Sequence, residues 1–305
     1  MECNVDGSGA RPCRAFESGK VEGADALEHA GFVRAFAQMC DDGWAQGWHE
    51  RNGGNASFRL TEEDVADARP HFVEEPGAWT DLRVEAPSLA GSFFLVTATG
   101  SYMRHVAHDT ASSLGIVELD GAGRAYRVRW GMNGGGRPTS EFAGHVLIHE
   151  ARARATGGAA RVLYHAHPTP IIALTKVLPL DARTITRKLW RAMTECMMVF
   201  PEGLGVVGCE VPGSMELARI SAREMERHAA VIWAHHGLLC AGETFDDTFG
   251  RMHAIVKAAE IYASARMMSG GSDEFINDIT DDELRAIAES LGLAVNEGFL
   301  GWPRG

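Results

Sequence analysis

Three histidines and one glutamate define the chemistry open to this sequence. His165 and His167 close the apolar, β-favouring run Val162-Leu163-Tyr164, with Gly157-Gly158 before it and Pro168 after it. That pattern predicts a buried strand. Residues two apart on a strand share a face, so both imidazoles point the same way. Such a pair offers two nitrogen ligands to a borderline metal such as Zn²⁺, at roughly 2.0–2.1 Å. Taken alone, it fits equally well a polar strand end whose histidines only hydrogen-bond.

A second apolar run, Val231-Ile232-Trp233-Ala234, ends in His235-His236-Gly237. His236 then stands at the end of a buried strand beside a turn, as His167 does. Two histidines from one strand and one from another make a His₃ set with an open position, the arrangement of a catalytic zinc. By alternation only one of His235 and His236 faces the pair, and spacing leaves that choice open.

Glu141 follows Pro138-Thr139-Ser140, in a stretch that predicts the start of a helix running to about Ala155. Thr139 or Ser140 suits the N-cap, and a carboxylate in the first turn is favoured by the dipole. Glu141 is the candidate acid–base group; the plainer reading is a capping glutamate. His145 and His149 follow on the same helix face and form a rival, weaker metal pair. Arg51-Asn52-Gly53-Gly54-Asn55 is the best anion loop, because glycines permit close backbone approach and turn amides can form a concave nest. Thr97-Ala98-Thr99-Gly100-Ser101 and Thr139-Ser140 add hydroxyls, although such turns are often only turns.

The elements that must position these groups can be read in order. An amphipathic helix is expected over about 26–48, with Val33, Phe36, Ala37, Cys40 and Trp44 on one side. Strands are expected at about 56–60, 93–97, 114–119 and 126–130, the last two joined by the turn Asp120-Gly121-Ala122-Gly123. Residues 61–91 are acidic and proline-punctuated and suggest a surface excursion. Beyond the His165 strand come helices at 171–177, 182–193, 214–229, 245–265 and 281–291, the last with Leu284, Ile287 and Leu291 on one side. Glu195 to Phe200 predicts a strand. The order implies one α/β domain over 24–305, with a central mixed, largely antiparallel sheet covered by helices on its faces, after a flexible N-terminal extension of residues 1–23.

Bulk properties narrow the function classes. The chain has 305 residues, 45% hydrophobic and 23% charged, which is ordinary globular composition. A net charge of −12 argues against nucleic acid or an anionic membrane as partner. A phosphate must then be bound locally, by amides and hydroxyls. No apolar run reaches the roughly 18–20 residues of a membrane span. The cysteines, Cys3, Cys13, Cys40, Cys196, Cys209 and Cys240, form no C-x-x-C pair and suggest reduced thiols in a cytoplasmic protein.

The order Asn-Gly-Gly-Asn, Thr-x-Thr-Gly, Pro-Thr-Ser-Glu, His-x-His and a late His-Gly resembles the class II, zinc-dependent sugar-phosphate aldolases. The likeness runs from about residue 32 to 265. It also includes Gly47-Trp48-His49-Glu50, Leu114-Gly115-Ile116-Val117, Thr194-Glu195-Cys196 and Asp247-Thr248-Phe249-Gly250. The resemblance implies an aldolase/adducin-like fold and one Zn²⁺ per subunit on His165, His167 and His236. It implies Glu141 as catalytic base and Asn52, Gly53, Asn55, Thr99, Thr139 and Ser140 as the phosphate cradle. Glu195 would reach the aldehyde half of the substrate in a neighbouring subunit's site of a homotetramer. The implied reaction is reversible cleavage of a ketose phosphate to dihydroxyacetone phosphate and L-lactaldehyde, with zinc drawing the released charge into an enediolate. A pentulose-phosphate 4-epimerase on the same scaffold is the alternative. A serine of the family's phosphate turn is Thr99 here.

Overall fold

The computed structural model describes residues 27–301; the expected N-terminal extension lies outside them. Ten α-helices are described: α1 (Gly31–Ala45), α2 (Glu62–Ala68), α3 (Thr110–Ser113), α4 (Phe142–Thr156), α5 (Thr169–Val177), α6 (Ala182–Trp190), α7 (Cys196–Val199), α8 (Met215–Glu224), α9 (Phe245–Met268) and α10 (Asp281–Leu291). Nine strands accompany them: β1 (Asn55–Arg59), β2 (Thr80–Asp81), β3 (Phe93–Thr97), β4 (Leu114–Leu119), β5 (Ala125–Gly131), β6 (Val162–Ala166), β7 (Gly205–Val207), β8 (Ala230–Trp233) and β9 (Gly237–Gly242). They form one sheet in the order β2-β5-β4-β3-β1-β6-β9-β8-β7. Neighbours are antiparallel except for the β7–β8 pair. The α/β class with a mixed, largely antiparallel sheet is therefore the observed one.

Strand alternation divides the core. Ala56, Phe58, Val162, Tyr164, Ile232 and Leu238 face one side, where they pack with Val33 and Phe36 of α1 and with Ile255 and Ala259 of α9. Leu163, Val231, Trp233 and Leu239 face the other side, against Ile148 of α4 and Leu217 of α8. Further along that second face, Phe94, Val96 and Val117 meet Phe142 and Val146 of α4. His165, two residues beyond Leu163, shares the α4 side of the sheet.

Several expectations need correction. Glu195 to Phe200 is not a strand: the amides of Met198 and Val199 bond back to the Glu195 carbonyl, closing the short α7. A brief apolar run does not distinguish strand from helix. The helix carrying Glu141 starts later than expected, and neither Thr139 nor Ser140 caps it. Glu141 itself holds the N-cap position, with no side-chain capping bond. The stretch 61–91 is more than a surface excursion, since β2 pairs with β5 and Leu82, Ala86 and Leu89 are buried under α4. β9, unassigned from sequence, lies between β6 and β8. On α10 the inward positions are Leu284 and Ala288, while Leu291, in the last turn, is half exposed. Among the described residues no helix is long and apolar enough to cross a membrane.

Candidate active site

The antiparallel pairing of β6 with both β1 and β9 assembles the site. It sets Asn55 opposite His165 on one side and Leu239 opposite His165 on the other. The β8–β9 turn carries His236 to the same end of the sheet. His235 has left-handed backbone, φ +64°, so strand alternation ends at this turn. Its ring turns to Thr175 at 3.2 Å, while His236 faces the cavity.

Among the described residues, His165, His167 and His236 form a cluster with one ring nitrogen each within 4.8 Å of the others. His165 Nδ1 donates to the Leu238 carbonyl at 3.1 Å, and His167 Nδ1 donates to the Glu50 carboxylate at 2.7 Å. A histidine that ligates a metal is neutral and has one N–H, so in the ligating form both Nε2 atoms carry lone pairs. Those two lone pairs face each other at 3.1 Å. That contact is repulsive unless a cation sits between them; two nitrogens on a tetrahedral Zn²⁺ lie about 3.3 Å apart. His236 Nδ1 is buried without a hydrogen-bond partner. Burial, then the neighbouring imidazoles, pushes His165 well below its ordinary pKa and His236 down to about 4. His165 and His236 are thus neutral donors, as metal ligation requires, and with His167 beside them the residues fit a divalent cation.

Trp233 packs against this cluster, 4.4 Å from the His165 ring and 5.1 Å from the His236 ring, with its indole N–H tied to Ser221 at 2.8 Å. Although partial burial opposes it, the hydrogen bond from His167 holds the Glu50 carboxyl below its usual value. Glu50 therefore stays ionised and fixes the His167 tautomer.

Glu141 opens on the same cavity. Burial raises its carboxyl pKa, while the Asn55 amide at 2.9 Å and the nearby His167 partly offset that rise. A desolvated carboxylate is a stronger base than a solvated one. The cavity, about 220 Å³, is an order of magnitude larger than the roughly 10–15 Å³ that holds a single water. Asn52, Gly53, Asn55, Thr99, Thr139 and Ser140 line it together with the three histidines. The chain after Gly136 runs beside the end of β3, where the Thr99 amide bonds to the Arg137 carbonyl and the Thr139 amide to the Thr97 carbonyl, both at 2.8 Å. That pairing is what brings the two hydroxyl-rich turns together. Glu195 does not line the cavity; it is exposed at the start of α7 beside the Thr194 hydroxyl.

The loop 51–55 rests on a buried pair not anticipated from the sequence. Tyr164, on the α1 face of β6, donates to His49 Nε2 at 2.5 Å, and His49 Nδ1 donates to the Gly53 carbonyl at 3.0 Å. Burial lowers the His49 pKa to about 4, which keeps it neutral. Gly54 has φ +78°, and a Cβ there would lie 2.4 Å from His49 Nδ1; a Cβ on Gly53 would lie 2.9 Å from His167 Nδ1. The glycines let the loop close onto both histidines. The run Gly47-Trp48-His49-Glu50 was part of the family pattern, but nothing local assigned roles to His49 or Glu50. The rival pair His145 and His149 is not a metal site: Ser57 Oγ lies between them, 2.7 Å from His145 Nδ1 and 2.9 Å from His149 Nε2.

A desolvated carboxylate beside three converging imidazoles, with amides and hydroxyls lining the same cavity, fits the class II, metal-dependent aldolases. The chain belongs to that family: residues 34–263 match the Class II Aldolase and Adducin N-terminal domain. It is 39% identical over 269 residues to the rhamnulose-1-phosphate aldolase of Mannheimia succiniciproducens, covering 88% of this chain and 97% of that one. It is 40% identical over 267 residues to the rhamnulose-1-phosphate aldolase of Citrobacter koseri, covering 88% and 95%. Among solved structures, the sugar-phosphate aldolase of Thermotoga maritima superposes with a TM-score of 0.66 at 28% identity, over 80% of this chain and 97% of that one.

Proposed function

We propose that the protein is an aldehyde-lyase of carbohydrate degradation that cleaves L-rhamnulose 1-phosphate reversibly to dihydroxyacetone phosphate and L-lactaldehyde. The observation that carries the reading is the Glu141 carboxylate, desolvated and bonded to Asn55, opening on the cavity where three imidazoles converge. The near-full-length likeness to rhamnulose-1-phosphate aldolases supports the choice of substrate.

His165, His167 and His236 would hold the metal, and an all-imidazole donor set suits Zn²⁺. When bound, the cation supplies a Lewis acid beside the carbonyl of the substrate. Asn52, the Gly53 backbone and the Thr99, Thr139 and Ser140 hydroxyls would receive the phosphate, a neutral cradle that suits an acidic protein; Asn55, expected among them, has its amide engaged by Glu141 and His145 and would serve the base instead. Cleavage breaks C3–C4: the C4 hydroxyl passes its proton to the Glu141 carboxylate as that carbon becomes the aldehyde, and the electron pair stays on C3, delocalised into the C2 carbonyl. Glu141 then delivers a proton to C3, and in the reverse direction it removes one from dihydroxyacetone phosphate. Exposed Glu195 would act on the aldehyde half of a neighbouring subunit's substrate within a homotetramer. The unpaired Cys40, Cys196, Cys209 and Cys240 favour a reducing, cytoplasmic setting.

The test is product identification by mass spectrometry after incubation with L-rhamnulose 1-phosphate, L-fuculose 1-phosphate and L-ribulose 5-phosphate separately. Dihydroxyacetone phosphate and L-lactaldehyde from the first substrate in preference to the others is expected. Epimerised pentulose phosphate from the third, with the first untouched, would overturn the assignment.

A further inference from the structure

Behind Glu141, polar side chains continue in a line into the interior. Asn55 Nδ2 donates to Glu141 Oε2 at 2.9 Å. Asn55 Oδ1 lies 2.6 Å from His145 Nε2, His145 Nδ1 lies 2.7 Å from Ser57 Oγ, and Ser57 Oγ lies 2.9 Å from His149 Nε2. Two elements supply all four residues: Asn55 and Ser57 alternate on one face of β1, while His145 and His149 lie one turn apart on α4. Ser57 is 0% exposed and both histidines 1%. Neither the metal site nor the phosphate cradle uses Ser57, His145 or His149.

The proton order along this line is determined. A carboxylate only accepts, so the Asn55 nitrogen must face Glu141 and its oxygen needs a donor. A neutral His145 has one N–H, which must therefore be on Nε2. Its Nδ1 is then a lone pair that takes the Ser57 hydroxyl proton. The Ser57 oxygen has no second proton, so His149 Nε2–H donates to it. Every proton points from His149 towards Glu141. Burial keeps both imidazoles neutral, which this order requires. Apolar residues would fill the β1–α4 contact at less risk, since a buried polar network is costly if any member is left unsatisfied. The line ends at the two groups that face the cavity.

We infer that His145, Ser57 and His149 are positioning residues: through their ordered hydrogen bonds they lock the Asn55 amide with its nitrogen towards Glu141, and so hold the carboxylate in the orientation from which it exchanges a proton with the substrate. This rests on Glu141 being the base proposed above. Without the chain the amide can rotate, setting Asn55 Oδ1 against the carboxylate, and Glu141 leaves its alignment.

The test is solvent-deuterium exchange into C3 of dihydroxyacetone phosphate, followed by NMR on the metal-loaded protein, with metal content and KM measured alongside. His145→Leu and His149→Leu are expected to slow exchange on the order of 10–100-fold with metal content and KM unchanged. His145→Gln and His149→Gln place an amide nitrogen where Nε2 stands and should recover most of the rate. Ser57→Ala, which deletes one oxygen, carries the Leu expectation and decides the matter if the Leu variants do not fold. Exchange at the wild-type rate in the Leu and Ala variants, equal losses in Gln and Leu variants, or losses confined to metal content or KM would overturn the inference. Glu141→Gln separates the two proposals: continued exchange in that variant removes Glu141 as base. No exchange there, with wild-type exchange in the Leu variants, removes only the positioning role.

Discussion

His165 and His167 meet Nε2 to Nε2 at 3.1 Å, each with its Nδ1 proton committed elsewhere, to the Leu238 carbonyl and the Glu50 carboxylate. With His236 beside them, two ring nitrogens so placed suit a shared cation. His165→Ala should therefore lose bound metal and activity together while the sheet stays folded. Metal analysis by mass spectrometry on the purified variant checks this; full activity with no metal would remove the cation from the account.

Glu50 is exposed on its outer side, so replacing it should spare the fold. Glu50→Leu removes the group that orients His167 and is expected to weaken metal affinity on the order of 10–100-fold. Glu50→Gln retains an acceptor for the His167 proton and should lose less. Chelator competition measures both, and equal affinities in all three proteins would show that the contact is incidental.

Tyr164→Phe leaves buried His49 Nε2 without its donor and should cost about 1–3 kcal/mol of stability. Because His49 in turn holds the Gly53 carbonyl, KM for the phosphorylated substrate should rise more than kcat falls. Gly54→Ala should act in the same direction and more strongly, because the position requires positive φ, which an added Cβ disfavours, and that carbon meets the His49 ring. Denaturant midpoints and steady-state kinetics check the pair.

Acid should destabilise the fold through His145. Its pKa is about 4 when folded, because of burial, against 6.5 for the unfolded group. Between those values the unfolded chain binds a proton that the folded chain does not. Stability therefore falls as pH drops through 6.5, and the loss, about 3 kcal/mol, is complete just below about pH 4. His145→Gln should show a correspondingly flatter stability profile over that range, measured by urea midpoints. A slope identical to that of the parent protein would contradict the assignment.

Local pattern settled much of this protein. The alternation in Val162–His167 placed two imidazoles on one face, because a strand's period is two. The apolar runs at 93–97, 114–119 and 162–164 are strands because nothing else in their neighbourhoods competes. The Asn-Gly-Gly-Asn, Thr-x-Thr-Gly and Pro-Thr-Ser-Glu stretches marked segments that now line one cavity. Spacing did not choose between His235 and His236, since a left-handed residue interrupts the alternation on which spacing depends. Nor did it show that Cys196–Val199 is helical, that Glu141 leaves its helix uncapped to meet Asn55, or that His145 and His149 close on a serine rather than a metal. Glu50 and His167 are 117 residues apart, and His145 and Asn55 are 90 apart. A donor and its acceptor at such separations leave no mark in either local sequence; only the folding of β1, β6 and α4 against one another decides which lone pair faces which proton.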